Sequence, residues 1–128
     1  MNEEGYRDFV MGRHYAFRRA KEEAALGLAS EAGEVAQIIR KHEYESHGIK
    51  PGSLALELGD VLHYLAQACD YLDISLEELA ELNAVKMKAL DKGERRNFEA
   101  MIALWKWPGE SMQQLISEAE AMLEEVAR

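Results

Sequence analysis

The chain has 128 residues, with 24 acidic side chains against 15 Lys and Arg and a formal net charge of −9. That size fits one domain with one core, and 48% hydrophobic with 30% charged residues is a globular rather than a disordered composition. The acidic balance argues against nucleic acid or an anionic membrane as partner, since both demand a basic patch that displaces counterions from phosphates.

Two prolines, Pro51 and Pro108, stand against many Ala, Leu, Glu and Met, so the expected fold is all-α. No apolar run approaches the length of a membrane span, and the polar, acidic N-terminal segment lacks signal-peptide features. The lone Cys69 has no partner for an intramolecular disulfide and falls among apolar positions, which fits a reduced, cytoplasmic compartment. A single domain over 1–128 is expected.

In chain order, Tyr6, Phe9, Val10 and Arg13 share helical spacing and predict a first helix over about residues 3 to 16. Ala24, Leu28, Val35 and Ile39 predict a second over about 20 to 43, followed by a turn-rich linker from Glu45 to Gly52. Ser53 reads as the N-cap of a third helix that carries Leu54, Leu58, Val61, Leu62, Leu65 and Leu72. Ser75 and Glu78 have capping-box spacing, so a fourth helix starts there and runs to about Lys92, before Gly93. After Pro108 and Gly109, the positions Met112, Leu115, Ile116, Ala119, Met122, Leu123 and Val126 form one apolar stripe. This last helix buries its stripe either against its own chain or in a subunit interface. Basic residues gather at Arg13, Arg18, Arg19 and Lys21 and again at Lys86, Lys88, Lys92, Arg95 and Arg96. They are either solvated helix faces or phosphate contacts within a pocket.

The acids on the second and third helices are the informative feature. Glu31 and Glu34 lie within about 60° of each other on a helix, and so do Glu57 and Asp60. Each pair borders its apolar stripe, so if the stripes pack together the four carboxylates converge. Converging carboxylates repel and resist desolvation without a partner. No Arg or Lys is comparably placed on these faces, which makes a divalent cation the economical partner. Hard oxygen ligands without Cys or paired His select Mg²⁺, with Mn²⁺ as a substitute, over zinc. Magnesium shares its coordination shell with substrate phosphates, so the pattern points to phosphate chemistry. A di-iron carboxylate bundle needs two Glu-x-x-His motifs. Only the stretch from Asp60 to His63 approaches one, and the first pair has no equivalent His. His14, His42 and His47 have no ligand spacing.

Glu-x-x-Glu followed after about twenty residues by Glu-x-x-Asp, within "LGLASEAGEVAQIIRK" and "LALELGDVLHYLAQACDYL", resembles the MazG-like all-α nucleoside triphosphate pyrophosphohydrolases. The resemblance covers about residues 20 to 92 and includes Gly33, Tyr64 and the run Asn83-Ala84-Val85-Lys86. Residues 97 to 128 form an extension outside it. It implies a four-helix bundle core with an additional C-terminal amphipathic helix, a homodimer or homotetramer, and Mg²⁺-dependent hydrolysis of a (deoxy)nucleoside triphosphate to monophosphate and pyrophosphate. A specialised relative would act on dUTP or phosphoribosyl-ATP. The rival outside the family is a non-catalytic acidic helical module that binds a protein.

Position by position, the resemblance implies Glu31, Glu34, Glu57 and Asp60 as metal ligands, and Asn83, Lys86 and Arg95 or Arg96 as phosphate contacts. Many relatives begin the first motif with two adjacent acids, whereas Ser30 precedes Glu31 here. The general base therefore falls to Glu34 or Glu31. Lys86 would stabilise charge on the departing pyrophosphate. Tyr15, Phe17, Tyr44 and Tyr64 are the aromatic candidates for stacking on a base, with core or surface packing as the other role open to each. Trp105 and Trp107 either cap a pocket or anchor the last helix.

Overall fold

The computed structural model describes residues 1–14, 20–44, 48 and 50–126, and among these it contains six helices and no strand. They are α1 (Glu3–His14), α2 (Ala20–Tyr44), α3 (Pro51–Leu72), α4 (Leu76–Asp91), α5 (Arg95–Ala103) and α6 (Met112–Val126). The chain divides into two compact units, Met1–Tyr71 and Leu72–Arg128. The all-α expectation holds. No described helix is long and apolar enough to cross a membrane.

In the first unit, Asn2 caps α1 by accepting from the Gly5 amide at 2.8 Å. Arg7 of α1 donates from Nε and Nη2 to Oδ1 of Asp70 on α3, each at 3.2 Å. Helix α3 begins three residues earlier than an N-cap at Ser53 suggests. Pro51 occupies its first position, where the fixed φ suits a helix and the missing N–H would have no partner. The Lys50 carbonyl accepts from Leu54 at 3.1 Å, so Ser53 lies inside the first turn and is not the cap. Helices α2 and α3 meet where Gly27 faces the Tyr64 ring, which fills the space a Cβ on Gly27 would take. Val10, Ala24, Ala66 and Cys69 are buried.

The apolar stripes of α2 and α3 are only partly covered. Leu28, Val35, Leu54, Val61 and Leu65 are half-buried, but Ile39, Leu58 and Leu62 are exposed. Leu26 and Leu56 are 73% and 74% exposed. Two helices shield only the line along which they meet, and the flanks of a broad stripe stay open.

The second unit is bounded by strong stop signals. Ser75 Oγ accepts from the Glu78 amide at 2.9 Å while Glu78 Oε1 accepts from the Ser75 amide at 3.0 Å, so the capping box at the start of α4 is complete. At its other end Gly93 adopts φ +70°, with Glu94 N–H donating to Ala89 O and Gly93 N–H to Leu90 O. This is a Schellman termination, which glycine allows without steric cost. Helix α5 follows at once and is absent from the expectations above. It has only nine residues and no side-chain cap at Glu94, and its apolar face is limited to Phe98, Met101 and Ile102.

Helix α4 packs on both α5 and α6, which also touch each other. Met112, Leu115, Ile116, Ala119 and Leu123 of α6 are buried with Val85, Ala89 and Phe98. The stripe fades at its end, where Met122 is half-buried and Val126 exposed. Lys92 Nζ donates to the Leu123 carbonyl at 3.0 Å, placing a cation where the α6 dipole is negative. The peptide bond between Trp107 and Pro108 is cis. Trp105 Nε1 donates to Glu110 O and Trp107 Nε1 to Leu72 O, which fixes both indoles. The two rings line a cavity of about 270 Å³ together with Ile74, Glu78 and Met112.

Candidate metal centre

One helical turn from the Gly27–Tyr64 approach, the antiparallel pairing of α2 and α3 brings Glu31 opposite Glu57 and Asp60. The three offer carboxylate oxygens that all lie within 4.8 Å of one another. Glu31 and Glu57 are half-buried and Asp60 is exposed. Oxygens bound to one Mg²⁺ at about 2 Å stand about 3 to 4 Å apart, so small side-chain adjustments close this cluster on a cation. The donor set is all carboxylate, which fits Mg²⁺ or Mn²⁺.

The electrostatics confirm the crowding. The Glu31 carboxyl is held above its usual range, first by desolvation, then by its hydrogen bond with Glu57 and by the charges of Asp60, Glu57 and Glu34. Burial also raises the Tyr6 phenol, with the Asp60 charge adding to it, so α1 brings Tyr6 near the cluster. The helical pattern marked Tyr6 only as a stripe position, and no local signal relates it to Asp60.

Glu34 is exposed and stands outside the group of three, although its charge reaches Glu31. Tyr64 is half-buried, with His63 edge-on to its ring at 5.2 Å between centroids. Tyr15 and Phe17 lie outside the described residues, as do Arg18, Arg19 and His47, and Tyr44 is described by its backbone alone.

Within the second unit, Asn83 and Lys86 are exposed on one face of α4. Arg95 donates from Nε to Glu99 Oε1 at 2.9 Å, and both side chains are exposed. That bond holds the Glu99 carboxyl below its usual range, helped by the charge of Lys86. Arg96 is exposed.

The family model of the MazG nucleotide pyrophosphohydrolase domain matches residues 19–94. The chain belongs to this MazG family. The MazG match includes all four acids, Tyr64, Asn83 and Lys86, and ends just before Arg95 and Arg96. Helices α5 and α6 lie beyond it. The chain is also similar to a protein of Mycobacterium phage L5, called Gene 37 protein, with 34% identity over 68 residues. That alignment takes in 50% of this chain and 60% of the phage protein, so the chain spans less than two thirds of that relative's length. No solved structure matches.

Proposed function

We propose that the protein hydrolyses (deoxy)nucleoside triphosphates to the monophosphate and pyrophosphate with Mg²⁺, Mn²⁺ serving as a substitute. The observation that carries this reading is the convergence of Glu31, Glu57 and Asp60, from two helices, within the region that matches the MazG domain. A divalent cation held there would supply charge to offset the triphosphate and would acidify water. Glu31, Glu57 and Asp60 hold the cation. Glu34, exposed and outside the cluster, is the carboxylate left to orient or deprotonate the attacking water. The missing second acid at Ser30 gives it no competitor on that side. Asn83 and Lys86 contact phosphate oxygens, with Arg95 and Arg96 as further cations, and Lys86 steadies charge on the leaving pyrophosphate.

The active form in this reading is a homodimer or a dimer of dimers. The exposed Leu26, Ile39, Leu56, Leu58 and Leu62 support it, because closed symmetric assembly is the common way to cover such a face. The substrate, whether a canonical or modified dNTP or NTP, dUTP or phosphoribosyl-ATP, is decided by the same experiment that tests the reaction. Pyrophosphate release is followed across that panel with Mg²⁺, beside Asp60→Asn, which keeps the shape and removes a charge. Turnover lost by orders of magnitude in a folded Asp60→Asn protein is the expected result. Near-normal turnover in that variant, or none in the parent with any member of the panel, rejects the reading.

A further inference from the structure

Gln67 of α3 is 4% exposed, and among the described residues neither Oε1 nor Nε2 of its side chain has a hydrogen-bond partner. A carboxamide withdrawn from water and left unpaired is costly, and Leu or Met would fill the same helical position without that cost. Such an orphan calls for a partner that the described residues do not supply.

Its place on the helix says which partner. Glu57, Asp60, Tyr64 and Gln67 follow one another at intervals of three, four and three residues, so they line one face of α3. The face runs from two carboxylates of the candidate metal centre, past the Tyr64 ring, to the amide. Asp60 and Gln67 are separated by seven residues, about 10 Å along the axis. That is the order of the span from the α-phosphate of a nucleotide to the far edge of its base. In the other direction from Glu57 the helix ends within two turns at Pro51, among exposed side chains.

Resting on the pyrophosphohydrolase reading above, we infer that the Gln67 carboxamide reads the hydrogen-bonding edge of the substrate's nucleobase. An amide presents a donor and an acceptor side by side, and the edge of each base does the same, so the two form a paired contact. Both amide atoms are out of water in the unliganded chain, so the base edge takes the place of what covers them. Gln67 is thus a specificity residue for the base and takes no part in the bond that breaks.

The test compares the parent with Gln67→Met, and with Gln67→Leu should the first variant fold poorly. The substrates are the four canonical deoxynucleoside triphosphates and deoxyribose 5′-triphosphate, which has no base. The inference expects kcat/KM for the preferred base, taken relative to the baseless analogue, to fall about tenfold or more, with an unfolding midpoint unchanged or raised because the orphan is gone. An unchanged ratio overturns it and leaves the amide to a buried water. Equal loss on the baseless analogue overturns it too, since the effect would then not lie at the base. Should the parent hydrolyse no triphosphate, the pyrophosphohydrolase reading falls, and Gln67 is judged by thermal shift with the four deoxynucleosides. A base-dependent shift in the parent that Gln67→Met abolishes sustains it, and no base-dependent shift rejects it.

Discussion

Glu31 is the residue whose protonation reports on the candidate metal centre. Its folded-state pKa is raised, first by desolvation, so the folded chain binds this proton more tightly than the unfolded chain does. Ionised Glu31 therefore costs the metal-free protein stability above that raised value, and the cost is relieved as pH falls through it toward the ordinary carboxylate range. Glu31→Gln removes the charge at every pH. The metal-free variant should melt above the parent at neutral pH, and the difference should shrink on acidification. Thermal unfolding with a chelator present, scanned downward from neutral pH, checks this, and a constant difference contradicts it. Lys86 allows a second separation. If it steadies charge that grows on the leaving pyrophosphate, Lys86→Met lowers kcat more than it raises KM. An effect on KM alone reduces it to attraction of a polyanion, and unchanged constants remove it from the reaction.

At the scale of the element, helices with a cap signal or a sustained apolar spacing were legible, and α5, which has neither, was not. The capping box at Ser75 and the stop at Gly93 are chemical statements about single backbone amides, and both ends of α4 stand where those residues place them. The structure corrects Ser53 to Pro51 at the start of α3 because two cap signals competed and the proline sits at the position that needs no donor. Helix α5 has no such signal, since its start is supplied by the Schellman turn of the preceding helix. The candidate site follows the same rule. Helical spacing brought all four acids together on paper, and the structure groups Glu31, Glu57 and Asp60 while Glu34 stands outside the three, because spacing alone does not say which acid of a pair faces the partner helix. The cost of losing a local signal is measurable at Gly93, where open space surrounds the Cα and only φ restricts the residue. Gly93→Ala should lower stability by roughly 1 kcal/mol, the strain of a Cβ in the left-handed region. A denaturant midpoint equal to the parent's refutes the account of that turn.

For the whole molecule, the open flanks of α2 and α3 matter most, because a 128-residue chain that leaves Leu26 and Leu56 about three-quarters exposed has apolar surface to spare. Leu56→Glu should shift the proposed assembly toward monomer in light scattering at micromolar concentration and lower turnover with it. A parent that is already an active monomer excludes the proposed assembly. Neither the sequence nor its periodicity revealed how much of each stripe would stay uncovered, since burial depends on where helices cross and on Gly27 letting Tyr64 in. The half-buried tie between Arg7 and Asp70 also sets an order in time. It closes 63 residues of chain, whereas the caps of α4 span three to five and the Lys92 link to α6 spans 31. Loop closure is an entropic cost met before a contact is made, so the Arg7 contact belongs late on the folding path, after the C-terminal helices have formed. Arg7→Ala should then hasten unfolding in stopped-flow experiments and leave the refolding rate nearly unchanged, which would make this half-buried ion pair a latch on the lifetime of the native state.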